Sequence, residues 1–64
     1  MQTAARPAID LNESERQLIV ELLERERGEL PAEIRRTSTP GMRDQLRERL
    51  ENVERLLHRL SPAA

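Results

Sequence analysis

The stretch LRERLENVERLLHRL, residues 46–60, decides the fold of this chain. Five of its six apolar residues follow one another at spacings of four, three, four and three positions, and they are Leu46, Leu50, Val53, Leu57 and Leu60. This spacing repeats every 3.5 residues, which is typical of the seam of a coiled coil. The stretch is therefore predicted to be an amphipathic helix that packs against another helix.

A second apolar stripe lies upstream of this stretch, and a short link (residues 37–41, TSTPG) joins the two. The stripe recurs at helical spacing in Leu18, Ile19, Leu22, Leu23, Leu30 and Ile34. Helices joined by so short a link are antiparallel neighbours. We therefore predict an all-α, antiparallel helical hairpin over residues 11–61, between a mobile N-terminal tail (residues 1–10) and a C-terminal tail (residues 62–64).

Capping residues set the expected bounds of the helices at about 12–36 and 40–60. Asn12 followed by Glu15 forms a capping box at the first start, with Asp10 and Glu13 as the competing pair. At the second start the cap is Thr39 or Ser38. Pro40 suits the first helical position there, and Ser61-Pro62 ends the helix after Leu60.

Pro31 lies inside the predicted first helix. A proline at this position removes one backbone hydrogen bond and clashes with the carbonyl four residues earlier, and Gly28 eases bending nearby. The apolar spacing nevertheless continues through the proline, because Leu30 and Ile34 stay in phase with Ile19 and Leu23. We expect one helix kinked near Pro31, and two separate helices are the alternative.

The composition predicts that the hairpin associates with itself. The chain has 64 residues and contains no Phe, Trp, Tyr or Cys, so neither an aromatic core nor a disulfide can stabilise it. The apolar stripes are also wider than one partner helix requires. We expect a homodimeric four-helix bundle with interface residues Leu18, Ile19, Leu22, Leu23, Leu30, Ile34, Met42, Leu46, Leu50, Val53, Leu56, Leu57 and Leu60.

One pair of opposite charges falls inside the apolar arcs. Glu26 lies near the middle of the first stripe, Arg49 lies within the second, and the antiparallel register puts both at about the same height. The hypothesis is an inward-facing ion pair, within or between protomers, that sets the register because breaking it strands a charge. The alternative is that both side chains extend to solvent at the edge of the interface.

The charge balance narrows the expected partners. The formal net charge is −1, and all eleven basic residues are Arg. This balance argues against bulk electrostatic binding to nucleic acid. No apolar run is long enough to span a membrane, and residues 1–6 lack the apolar segment of a signal peptide. A cytoplasmic protein without a membrane partner is expected.

The side chains needed for catalysis are largely missing from this sequence. His58 is the single histidine, and its spacing from Glu54 places both on a helix surface directed away from the seam. Without cysteine or a second histidine, no nucleophile–base pair can be assembled, and Gly28 and Gly41 are too isolated to form a phosphate loop. We predict no enzymatic activity, no cofactor and no metal.

The link between the helices carries one candidate anion site. Arg35, Arg36 and Arg43 converge there beside the start of the second helix, whose free amides favour an anion. Arginine also suits phosphate. The alternative is that the link hydroxyls cap the helix and that the arginines are solvated or paired with Glu33 and Asp44.

The run ELLERERGELPAEIRRTSTPGMRDQLRERLENVERLL, residues 21–57, resembles a set of short uncharacterised bacterial proteins. They share a Leu-rich helix, Glu-Ile-Arg-Arg-Thr before the turn, and Arg and Leu at heptad spacing. The resemblance covers about residues 11–60 and implies a helical hairpin without assigning functional residues. In architecture and size the chain is also similar to the plasmid RNA-binding protein Rop, a dimeric four-helix bundle.

The sequence thus favours a small homo-oligomeric helical bundle that acts as a structural or protein-interaction module. Two alternatives stay open. One is a nucleic-acid or phosphate-binding module that uses the arginines of the link, and the other is a binder of a helix from a different protein.

Overall fold

Two α-helices packed against each other form the fold, which comes from a computed structural model that describes residues 9–61. Helix α1 spans Glu13–Arg36 and helix α2 spans Pro40–Leu60, and no strand occurs within the described range. The prediction of an all-α hairpin is therefore confirmed. Most of the predicted N-terminal tail, residues 1–8, and the C-terminal tail lie outside the described residues.

The start of α1 is fixed by a capping box. The Asn12 side chain accepts a hydrogen bond of 2.8 Å from the Glu15 backbone N–H, and the Glu15 carboxylate accepts one of 3.0 Å from the Asn12 backbone N–H. These bonds satisfy two donors that the first turn of a helix leaves free. The predicted cap is confirmed, and the competing cap at Asp10 is wrong.

Residues 37–39 form the turn between the helices. The Thr37 hydroxyl donates a 2.7 Å hydrogen bond to the Glu33 carbonyl, and the Thr37 backbone N–H donates to the same carbonyl at 3.0 Å. Thr39 is the N-cap of α2, as predicted, although its side chain accepts no capping bond, and Pro40 occupies the first helical position. The fixed φ of proline therefore starts α2 without help from a hydroxyl.

Helix α1 continues without a break through Pro31. The alternative of two separate helices is therefore wrong, while the kink remains a prediction. Because Pro31 has no backbone N–H, the carbonyl of Arg27 lacks its helical partner. Gly28 lies next to this position, and a Cβ placed on it would meet no atom within 4 Å.

The core lies along the seam between α1 and α2. Its buried residues are Leu30, Val53 and Leu57. Four half-buried residues pack against them, and they are Val20, Leu23, Leu46 and Leu50. The 3.5-residue stripe of α2 thus faces α1 of the same chain, so the hairpin itself supplies the first partner that this stripe requires.

Candidate protein-interaction surface

The predicted interface residues divide into two groups. Nine are buried or half-buried in the single chain, and they are Ile19, Leu23, Leu30, Ile34, Leu46, Leu50, Val53, Leu57 and Leu60. Four are exposed: Leu18 by 56%, Leu22 by 51%, Met42 by 55% and Leu56 by 42%. The hairpin by itself does not bury the residues of the second group.

The four exposed residues belong to one side of the hairpin, which we call the apolar side. Leu22 and Leu56 line an open groove of about 400 Å³ whose floor includes the seam residues Leu23 and Val53. Leu18 precedes Leu22 by four residues, and Met42 precedes Leu56 by fourteen, so each extends the same strip along its helix.

The opposite side of the seam is polar, and we call it the charged side. It holds a second open groove of about 330 Å³, with Arg16, Glu24 and Arg27 along α1 and Glu54 and His58 along α2. Charges of both signs alternate there, whereas large apolar residues are exposed on the other side. The hairpin therefore presents two chemically different surfaces.

Glu26 and Arg49 form an ion pair at the edge of the apolar side. Arg49 Nε donates to the Glu26 carboxylate and joins α1 to α2 within one chain. The Glu26 side chain is 28% exposed and the Arg49 side chain 63% exposed, so water screens the pair in the isolated hairpin. Whether the pair faces inward and sets the register of an assembly remains a prediction.

The energetic coupling of Glu26 and Arg49 can be measured with Glu26→Ala, Arg49→Ala and the double variant. An exposed pair typically contributes about 0.2–1 kcal/mol, and burial in an interface raises the cost of removing one partner. We expect a coupling below about 1 kcal/mol in dilute protein and a larger one at high protein concentration, measured by thermal unfolding. Strictly additive losses at both concentrations would contradict the proposed role.

Arg16 closes the end of the hairpin opposite the turn, which we call the open end. Its Nη1 donates a 2.8 Å hydrogen bond to the Leu60 carbonyl, one of the acceptors that the end of a helix leaves free. Its Nε and Nη2 also donate to the Glu13 carboxylate. Sequence reasoning missed this contact. The available signal was that Arg16 lies seven residues before Leu23 and therefore in phase with the seam.

The Glu13–Arg16 pair predicts a pH dependence of stability. Hydrogen bonding and charge attraction from Arg16 lower the pKa of Glu13 below its usual 4.5. A lowered pKa in the folded state means that the stabilisation is present above the usual value and is lost as the pH falls through the folded value. We expect Glu13→Gln to lower the melting temperature at neutral pH and to have no effect at about pH 2.

A matched control for this experiment is Glu21→Gln, which removes an exposed carboxylate from the same helix. A difference between wild type and Glu13→Gln that persisted unchanged in acid would show that the pair does not cause it.

The three arginines of the candidate anion site differ in exposure. Arg35 and Arg36 are exposed in the last turn of α1, whereas Arg43 is half-buried and its Nε is buried without a hydrogen-bond partner among the described residues. Arg43 lies seven residues before Leu50, so it continues the seam of α2 toward the turn. Anion binding at this site remains a prediction.

Residues 9–61 offer neither a metal-binding cluster nor a membrane-spanning helix. This part of the chain contains no cluster of three or more His, Asp or Glu side chains that could hold a metal ion. Within the same residues, neither α1 nor α2 combines the length and the apolar character that crossing a bilayer demands. His58 is exposed on the charged side.

No protein-family model matches this chain, no curated protein matches it, and no solved structure matches it. The resemblance to short bacterial helical-hairpin proteins therefore stays a prediction, and the function has to be argued from the two sides of the hairpin.

Proposed function

We propose that this chain is a non-enzymatic protein-interaction module whose apolar side docks on the apolar side of a second copy to form a homodimeric four-helix bundle. The observation that carries the proposal is the exposure of Leu18, Leu22 and Leu56 along one continuous strip, beside a groove whose floor is the hydrophobic seam. Covering this strip would extend the core that α1 and α2 already share.

The size of the core supports a second copy. Among the described residues only Leu30, Val53 and Leu57 are buried, which is a small core for two helices of 24 and 21 residues. Small domains without disulfides or metals commonly gain the missing burial by oligomerisation. The exposed strip is the surface on which such additional burial can take place.

The charges around the groove favour a copy of the same chain over a strongly charged partner. Arg25 and Arg49 line it together with Glu26 and Glu29, so each positive charge is matched by a negative one. A surface with balanced charges can pair with itself, because each residue type finds the opposite sign on the other copy.

Sedimentation equilibrium across a wide range of protein concentration tests the proposal. We expect a mass of twice the 7.4 kDa of one chain at high concentration, with helical content and thermal stability rising as the dimer forms. A fully helical species of 7.4 kDa that persists at roughly millimolar concentration would overturn the homodimer. That result would favour a helix from another protein as the occupant of the apolar side.

A further inference from the structure

We propose that the two copies join with both turns at the same end of the bundle. This inference rests on the proposed homodimer and adds its orientation. Two arrangements bring the apolar sides together with the helices aligned. In the same-end arrangement α1 packs on the partner's α2, and in the opposite-end arrangement each helix packs on its own counterpart. Neighbouring helices are antiparallel in both arrangements, so helix dipoles do not distinguish them.

The exposed leucines are not centred along the hairpin. The bonded pair Glu26–Arg49 marks its middle, since Glu26 lies about 20 Å from the start of α1 and about 15 Å from its end at 1.5 Å per residue. Leu22 lies four residues from Glu26 toward the open end, and Leu18 lies eight. Leu56 lies seven residues beyond Arg49 in the same direction.

The turn half of the apolar side is more polar than the open half. At about the heights that mirror those of the α1 leucines it presents Glu29 and Glu33. Met42 is its one exposed large apolar residue, and it lies seven residues before Arg49, at the height that mirrors Leu56. A fully overlapped opposite-end dimer would bring Leu56 against Met42 of the other copy, but it would place both α1 leucines against these glutamates. Sliding the copies until the leucines met would need a shift of roughly 20 Å along helices about 36 Å long, which leaves less than half of each side covered.

The same-end arrangement keeps full overlap and brings the leucines together. Because α1 faces the partner's α2 at equal height, Leu22 of each copy meets Leu56 of the other, and Leu18 extends this contact toward the open end. The exposed leucines of the two copies thus cover one another without a shift, while Met42 lies apart from them near the turn.

The central charges favour the same arrangement. Glu26 would lie opposite Arg49 of the other copy, so four charges of alternating sign would surround the middle of the bundle. In the overlapped opposite-end arrangement Glu26 would face Glu26 and Arg49 would face Arg49. Like charges brought together in an interface are destabilising, and alternating charges are not.

Distances between spin labels test the orientation, and the chain has no native cysteine to interfere with labelling. Ser38→Cys places a label in the exposed turn, and Glu51→Cys places one on an exposed position of α2 near mid-height. With facing helices 8–10 Å apart, the turn labels should be separated by about 10–25 Å in the same-end dimer and by about 35 Å or more in the opposite-end dimer. The two labels at residue 51 should be separated by about 20–30 Å in both dimer arrangements.

The two labels separate failure of the orientation from failure of the dimer. A mid-height distance within the stated range together with a short turn distance supports the proposal. The same mid-height distance with a turn distance beyond about 35 Å overturns the orientation and leaves the dimer standing. Absence of any dipolar signal at both positions, with wild-type helical content, overturns the dimer and the orientation with it.

Discussion

Replacing Leu30 with alanine is expected to unfold most of the protein at room temperature. Leu30 is 1% exposed and belongs to a core of three buried residues. Truncating a buried leucine to alanine typically costs 2–5 kcal/mol, because burial is lost and a cavity remains. Alanine is the better helix former, so the loss cannot come from helix propensity. Circular dichroism with thermal melting measures the effect.

Ile9→Ala is the matched control for Leu30→Ala. Ile9 loses a comparable number of aliphatic carbons, but it is 77% exposed and lies before the start of α1. We expect the melting temperature of the Ile9→Ala variant to stay close to that of the wild type. A Leu30→Ala variant that melts like this control would mean that the seam does not hold the two helices together.

Replacing both Leu22 and Leu56 with glutamine is expected to weaken dimerisation about a thousandfold. Both leucines are about half exposed in the single chain, so covering each contributes about 1 kcal/mol, and a dimer contains four such side chains. Their sum of about 4 kcal/mol corresponds to roughly three powers of ten in Kd. Glutamine keeps a high helix propensity, so each chain should retain its ability to form α1 and α2.

Sedimentation velocity measures this loss, and Glu24→Gln with Glu54→Gln provides the control. These two residues line the charged side, so the control introduces the same glutamines on the surface that the proposed dimer leaves open. We expect the control to dimerise like the wild type. If the leucine variant also kept the wild-type Kd, the apolar side could not be the interface.

Much of the fold could be predicted from the sequence, because local chemistry sets it. Asn12 with Glu15 and Pro40 at the first helical position determine where the helices begin, and these signals need no knowledge of the rest of the chain. Heptad spacing in α2 and the short turn then set which surfaces meet. The Glu26–Arg49 contact could be proposed from the same information, since helical angle and antiparallel register together give relative position.

Other features could not be predicted, because they depend on how the helices pack in three dimensions. Helical spacing predicts a wide apolar arc on α1 but does not indicate which part of the arc α2 covers. The sequence pattern therefore does not distinguish the exposed Leu18 from the buried Leu30. Arg16 donates a hydrogen bond to the backbone carbonyl of Leu60. Every residue has a backbone carbonyl, so the sequence does not show which one is the acceptor. Arg43 lies close to the turn arginines in sequence, although its seven-residue spacing from Leu50 places it in the seam.

The carbonyl of Arg27 lacks its helical donor, and we expect the segments of α1 on either side of it to open separately. The first segment carries Leu18 and Leu22 and is anchored to α2 at the open end by Arg16, while the second leads into the turn. Local opening starts most easily where a backbone bond is already missing and where glycine adds freedom, as at Gly28. Amide protons just after Pro31 should therefore exchange with solvent faster than those beside Leu23. The turn should open locally while Leu18 and Leu22 of the apolar side stay in place.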